Sequence, residues 1–348
     1  MTKVVRVGNL LLGGGNPVLV QSMTNTDTRD TDATLAQIRA LAEAGCDIVR
    51  ISVYDEACAE AVKILAAESP VPLVADIHFD YKLAIRAAEN GIAKLRINPG
   101  NIGGEARVRE LADCAKAHHI PIRIGVNSGS AEKELLEKYG GPTAECLVES
   151  ALNHARMLEK AGFDDIVLSM KSSDVRLTID AYRLASRQCG YPLHLGVTEA
   201  GLPGQGTVKS AIGIGALLAD GIGDTIRVSL SGDPVPEAAA AWDILRALNL
   251  RVRGVQLIAC PTCGRTCIPV EAIARRVEKE LSDVTVPLKV AVMGCVVNGL
   301  GEGREADVGI AGGKTGGVLF VRGQEPKRVE GDLADQLIRE VRKMVGEK

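Results

Sequence analysis

The chain has 348 residues and a mass of 36.7 kDa, enough for one large domain plus a smaller one with an ample core. A formal net charge of -3 and a pI near 6.0 argue against a broadly basic surface for nucleic acid, and no run is long and apolar enough to span a bilayer. Aromatic residues are only 3%, so Val, Ile, Leu and Ala must fill the core. The opening segment, MTKVVRVGNLLLGGGNPVLV, lacks a long apolar stretch followed by a small-residue cleavage site, so a soluble, cytoplasmic protein is expected.

In chain order, the first signal is Gly13-Gly14-Gly15, which precedes the first strand-like run and reads as a hairpin turn. From residue 18 to about 230 an apolar run then recurs, usually followed by a helix-like segment. The runs are VLVQSM (18–23), IVRISV (48–53), PLVADIH (72–78), KLRINPG (94–100), IRIGVN (122–127), IVLSMK (166–171), LHLGVTE (193–199) and TIRVSL (225–230). Helical patterns at 34–45, 81–91 and 146–162 each end at glycine, as helix stops often do. Eight such units predict a parallel (β/α)8 TIM barrel. A doubly wound sheet is the main competitor, but its GxGxxG turn after the first strand is absent. Residues 233–250 read as the closing barrel helix and RVRG as a short linker. The remainder, 255–348, predicts a small α+β domain, so the expected division is a barrel over 1–250 and a second domain over 255–348.

Polar residues gather inside or just after the barrel runs, where barrel enzymes build their sites. They are Arg50, Asp76, His78, Arg96, Asn98, Arg123, Asn127, Ser169, Lys171, Thr198, Glu199, Arg227 and Ser229. Singly each is bland, since a strand arginine usually pairs with a neighbouring acid and a buried His is usually a hydrogen-bonded core residue. Together, Arg50, Arg96, Arg123, Lys171 and Arg227 set five cations around one mouth in which Asp76 and Glu199 are the evident acids. Confined cations without counter-charge are costly, so a multiply charged anion, best a diphosphate, is the natural ligand. The glycine-rich 201–209 segment before a helix could add backbone donors, a weak signal alone.

The second domain carries CPTCGR and MGCVVNGLGE. Cys260, Cys263 and Cys295 supply three soft thiolates and Glu302 a harder, exchangeable oxygen, a set suited to a 4Fe-4S cluster whose fourth iron can receive substrate oxygen. Structural zinc would more often show two CxxC pairs or added histidines, and a thioredoxin-like pair should open a helix, whereas Pro261 and Pro269 bracket a loop. Cys267 is a competitor for the fourth position. The other five of the nine cysteines read as buried free thiols.

With both residue sets in view, the sequence resembles the bacterial 4-hydroxy-3-methylbut-2-en-1-yl diphosphate synthase family, iron-sulfur enzymes of the methylerythritol phosphate route to isoprenoids. The resemblance runs through VQSMTNT, VRISV, LVADIHFDY, LRINPGNIG, IPIRIGVNSGS, PLHLGVTEAG, KSAIG, GIGDTIRVSL, ACPTCGR and GCVVNG, nearly the whole chain. It implies reductive opening of 2-C-methyl-D-erythritol 2,4-cyclodiphosphate, with two electrons from flavodoxin or ferredoxin delivered through the 4Fe-4S cluster. It also implies that Cys260, Cys263, Cys295 and Glu302 bind the cluster. The five cations, helped by His78, Asn98, Asn127, Ser169, Thr198 and Ser229, would hold the diphosphate, with Glu199, Asp76 and Glu302 nearest the chemistry. One departure is Leu300, where the family usually has a proline that would stiffen the Glu302 loop. Other readings are a barrel lyase or transferase for a phosphorylated or pteridine-type substrate, and an iron-sulfur sensor or electron carrier.

The linker adds an expectation about assembly. Barrel helices end at the face opposite the mouth. A closing helix of roughly 15 residues covers about 22 Å, while RVRG extends only about 14 Å. The second domain would struggle to reach its own mouth, so a head-to-tail homodimer with a shared site is expected, as the resemblance also implies.

Overall fold

The computed structural model describes residues 1–296, 301 and 303–346. Glu302 and Leu300 therefore lie outside the described residues. The chain divides into two compact units, Met1–Arg251 and Val252–Lys348.

The first unit opens with a hairpin of β1 (Val5–Val7) and β2 (Leu10–Leu12). Register pairs Val7 with Leu10, which leaves Gly8 and Asn9 as the two-residue turn, with Gly8 at φ 58°. The expectation for Gly13-Gly14-Gly15 is thus corrected: these residues, all at positive φ, make the bend that follows the hairpin, where Asn16 donates its backbone N–H to the Gly13 carbonyl at 3.1 Å.

Then come β3 (Leu19–Met23), α1 (Thr31–Glu43), β4 (Ile48–Ser52), α2 (Glu56–Glu68), β5 (Leu73–Asp76), α3 (Tyr81–Glu89), β6 (Lys94–Ile97), α4 (Pro99–Ile102) and α5 (Glu105–Ala117). They are followed by β7 (Ile122–Asn127), α6 (Lys133–Tyr139), α7 (Ala144–Lys160), β8 (Ile166–Lys171), α8 (Val175–Gln188), β9 (His194–Leu195), α9 (Gln205–Ala219), β10 (Thr225–Ile226) and α10 (Val235–Ala247). Side chains of Asp30, Asp55, Thr143 and Asp174 cap their helices by accepting first-turn N–H groups. Gly45, Gly91 and Gly162 stop three helices at positive φ, as the sequence pattern predicts.

β3 to β10 form one all-parallel sheet in the order β8-β7-β6-β5-β4-β3-β10-β9. A bridge between Leu168 and Leu193 joins β8 to β9 and closes the ring, which is the expected TIM barrel. Alternate strand residues, such as Val49, Ile51, Leu95, Ile124 and Leu168, belong to the main core with the helices. Leu19, Ile48, Val74 and Val167 instead cluster with Val5, Val7 and Leu12 of the hairpin, forming an apolar floor at the strand starts. Arg251, just after α10, is fixed at the same end. It donates to the Val18 carbonyl at 2.8 Å and to Asp47 at 2.6 Å, and its guanidinium lies 4.6 Å from the Trp242 ring centroid.

The second unit holds β11 (Val255–Ala259), α11 (Val270–Glu280), β12 (Leu288–Met293), β13 (Val308–Gly312), β14 (Gly317–Val321), β15 (Lys327–Val329) and α12 (Leu333–Met344). Its sheet runs β11-β12-β13-β14-β15, parallel through β13 and antiparallel thereafter. Val270, Ile273 and Val277 of α11 and Leu337 and Val341 of α12 share one apolar cluster with Val290, Val292, Val308 and Ile310 of the sheet.

Candidate active site

Strand alternation sorts the barrel interior into strata. Above the floor residues Ile48, Val74 and Val167, the same strand faces carry Arg50, Asp76 and Ser169. The equivalent faces of the other strands present Gln21 and Met23, Lys94 and Arg96, Arg123 and Gly125, His194 and Gly196, and Thr225 and Arg227. The lumen therefore passes from apolar, through amide, amine and imidazole, to a charged rim at the strand C-termini. Of the thirteen polar residues read from the sequence, twelve share this inward parity. Glu199 does not: it is exposed, with its backbone in the left-handed region at φ 52°.

Asp76 is the hub of the rim. Its Oδ1 accepts from Arg96 Nη1 at 2.9 Å, while Oδ2 lies 3.8 Å from Arg50 Nε and 3.5 Å from His78 Nε2. Burial works to raise the Asp76 carboxyl, but Arg50, the His78 hydrogen bond and Arg96 together hold it well below the carboxylate range. Arg50 also directs Nε and Nη2 at the Met23 thioether, at 3.0 and 2.8 Å, and Arg227 Nη1 lies 3.8 Å from the same sulfur.

The acid that pairs with Arg227 was not among those read from the sequence. Glu237 of α10, only 2% exposed, faces Arg227 Nε at 3.3 Å and Nη2 at 3.4 Å, and accepts from Ser22 Oγ at 2.7 Å and the Leu230 N–H at 2.9 Å. Asp76 and Glu237, rather than Asp76 and Glu199, are thus the acids paired with the cations. The sole signal for Glu237 was its place ten residues after Arg227 in a Pro-initiated, Ala-rich helix.

Two acids do not balance the cations. Among the described residues, neither Arg123, 1% exposed, nor Lys171, 8% exposed, forms an ion pair. Arg123 Nε and Nη1 and Arg96 Nε are buried without hydrogen-bond partners. Burial, then neighbouring cations, lower the pKa values of Arg123 and Lys171 well below their ordinary values, and burial brings that of Arg50 down to about 10. Such a lumen lacks negative charge, which an anion with several oxygens would supply. Around it, Asn98 and Ser169 are buried, Asn127, Thr198 and Ser229 half-buried, and His78 exposed. The 201–209 segment starts α9 at Gln205, and its N-cap, Gly204, makes no side-chain cap.

In the second unit Cys260 and Cys295 follow the C-terminal ends of two adjacent parallel strands, where Ala259 of β11 pairs with Val292 of β12, and Cys263 and Cys267 lie in the loop after β11. Cys260 donates its N–H to the Val292 carbonyl at 3.0 Å and Cys267 to the Gly294 carbonyl at 2.8 Å, and Cys295 is the next residue. Thr262 takes φ 65° within the CxxC turn, and Cys263 donates its N–H to Thr266 Oγ1 at 3.0 Å. Cys263 and Cys267 are exposed, Cys260 and Cys295 half-buried, and none of the nine cysteines is in a disulfide. Among the described residues no three His, Cys, Asp or Glu side chains are drawn together closely enough to hold a metal ion. Of the five scattered cysteines, Cys46, Cys58 and Cys146 are buried and Cys114 and Cys189 half-buried, and burial pushes the Cys46 thiol up to about 12. No helix among the described residues is long and apolar enough to cross a membrane.

Comparison with known proteins now bears on both units. Solved structures share the barrel: that of Yersinia pestis dihydropteroate synthase superposes with a TM-score of 0.51 at 16% identity, covering 72% of this chain and 100% of that one, a likeness of fold alone. Residues 2–242 match the family model described as the GcpE TIM-barrel domain, and residues 256–343 that of the GcpE protein C-terminal domain. A protein of Geobacter sulfurreducens named 4-hydroxy-3-methylbut-2-en-1-yl diphosphate synthase (flavodoxin) is 58% identical over 100% of this chain and 99% of its own. One of the same name from Caldanaerobacter subterraneus is also 58% identical, over 100% of this chain and 98% of its own. With both models matched in sequence and more than half of all residues shared with these relatives, the chain belongs to the GcpE family of 4-hydroxy-3-methylbut-2-en-1-yl diphosphate synthases.

Proposed function

We propose that the chain converts 2-C-methyl-D-erythritol 2,4-cyclodiphosphate to 4-hydroxy-3-methylbut-2-en-1-yl diphosphate in isoprenoid precursor synthesis, with two electrons supplied and one water lost. The observation that carries this reading is the excess of buried cation in the barrel lumen, with donor atoms of Arg96 and Arg123 left without acceptors. Arg50, Arg96, Arg123, Lys171 and Arg227 hold the diphosphate, assisted by His78, Asn98, Asn127, Ser169, Thr198 and Ser229. Asp76 is kept ionised, so its part is to orient Arg50, Arg96 and His78 rather than to give up a proton. Glu199, exposed at the rim, is the candidate for protonating the departing hydroxyl.

A 4Fe-4S cluster fits the donor chemistry of the second unit: three thiols, none in a disulfide, two of them just after neighbouring strands and the third in the CxxC turn. Cys260, Cys263 and Cys295 would hold it, with Glu302 completing the set and Cys267 as the competitor for that place. When bound, such a cluster supplies electrons singly and a Lewis-acidic iron beside the substrate. The relatives' names support flavodoxin as electron donor, and ferredoxin is the alternative. The Arg251 anchor at the barrel floor supports the reading that the chain leaves away from the mouth, and hence a head-to-tail homodimer in which each cluster unit serves the partner's barrel.

The deciding experiment is anaerobic turnover of the cyclic diphosphate by cluster-reconstituted protein with a low-potential reductant. Linear diphosphate is the expected product. Tight binding without product would instead assign the chain to sensing.

A further inference from the structure

Lys94 lies one inward position below Arg96 on β6 and is 0% exposed. Its Nζ reaches Gln21 Oε1 at 3.5 Å. β3 and β6 are separated in the sheet by β4 and β5, so this contact spans the lumen. The polar groups facing the same interior are Gln21 from β3, Arg50 from β4, Asp76 from β5, Arg96 from β6 itself, Arg123 from β7, and Ser169 and Lys171 from β8. His194 faces it from β9, and Thr225 and Arg227 from β10.

Asp76 is the one carboxylate borne by these strand faces, and its oxygens already meet Arg96 at 2.9 Å, His78 at 3.5 Å and Arg50 at 3.8 Å. The His194 imidazole is engaged through Nδ1 with Thr225 Oγ1 at 2.7 Å. An ammonium at Lys94 would thus have three protons to place and one acceptor at the limit of hydrogen-bond distance, inside a shell of other cations. A neutral amine removes that conflict.

We propose that Lys94 rests as a neutral amine in the empty barrel and takes up a proton when a diphosphate enters the mouth above it. Part of the ligand's charge is then met by a proton that arrives with the ligand, and the empty lumen is spared one further standing charge. The inference rests on the reading of the mouth as a diphosphate site. It agrees with the direction in which burial, then Arg123 and Arg50, displace the Lys94 ammonium, well below the ordinary lysine range. Lys171 is displaced in the same direction, so the test must separate the two.

The experiment is titration calorimetry of inorganic diphosphate into the full-length protein and into Lys94→Met, in two buffers of different ionisation enthalpy at one pH. Subtracting the variant cancels the protonation of the probe and of Lys171. The wild type should take up about one proton more than the variant, and its affinity should fall with rising pH by up to about one further factor of ten per pH unit. Lys94→Gln is the second variant should the methionine form fail to fold, with thermal unfolding as the check. Equal proton uptake in wild type and a folded variant, with diphosphate still bound, would overturn the role of Lys94 and leave the diphosphate reading standing. Failure of the wild type to bind diphosphate would overturn both.

Discussion

Asp76 shows how a single side chain in this lumen ties stability to pH. Its carboxyl titrates below the ordinary range in the folded state, so its contribution is fully present above the unfolded value near 4 and is lost as pH falls toward the folded value. Asp76→Asn leaves Arg50 and Arg96 without their shared acid, and should cost roughly 3 to 5 kcal/mol at neutral pH. The gap to wild type should narrow on acidification from about pH 4 downward, because the wild type then loses the same charge. Denaturant unfolding of both proteins across that range checks the sign; a pH-independent gap would separate the cost from the charge. At this scale the sequence revealed the strand-end cations because basic residues inside apolar runs stand out. Glu237 was hidden, since an acid in the first turn of a helix has an ordinary explanation in the helix dipole. Lys94 was hidden too, being at the start of its run, where a lysine usually reaches solvent.

Among the strands, the spacing between neighbours decides where long cations can lie. A Cβ on Gly196 would stand 2.6 Å from Lys171 Nζ and 2.7 Å from the Arg227 carbonyl oxygen. The ammonium could swing away, but the backbone oxygen could not. Gly196→Ala should therefore destabilise the barrel by about 1 to 3 kcal/mol and displace Lys171 from its resting position. Thermal unfolding together with diphosphate affinity tests this, and unchanged values for both would mean that β9 and β10 separate freely there. All eight apolar runs contain a barrel strand, because a parallel sheet covered by helices needs near-continuous apolar faces. The last two ladders shrink to two residues each, His194–Leu195 and Thr225–Ile226, where polar residues and glycine replace the apolar pattern. β15 carries little strand signal in the sequence because Lys327 and Arg328 on a sheet edge look like a loop, although charge is what keeps such an edge from pairing further.

For the whole molecule, the shared-site proposal is open to complementation. Cys295→Ser and Arg123→Ala should each be inactive alone, and mixing them under conditions of subunit exchange should restore a fraction of wild-type turnover, since a mixed dimer pairs one intact barrel with one intact cluster unit. Mixed dimers that demonstrably form and stay inactive, while wild-type and mutant mixtures keep normal activity per intact chain, would place the site within one subunit. The floor of the barrel has a consequence for handling and for descent. Thr2 Oγ1 donates to Asp224 at 2.9 Å and Lys3 donates its N–H to the Gly190 carbonyl at 2.7 Å, at the starts of β10 and β9, while Arg251 is held at the starts of β3 and β4. These four strands are neighbours in the ring, so the barrel's entrance and exit in the chain lie side by side at its sealed end. A tag attached ahead of Thr2 would start from this sealed end, and in the barrel unit taken alone a short bridge between residues near 2 and 251 would allow the barrel to be cut open elsewhere and circularly permuted.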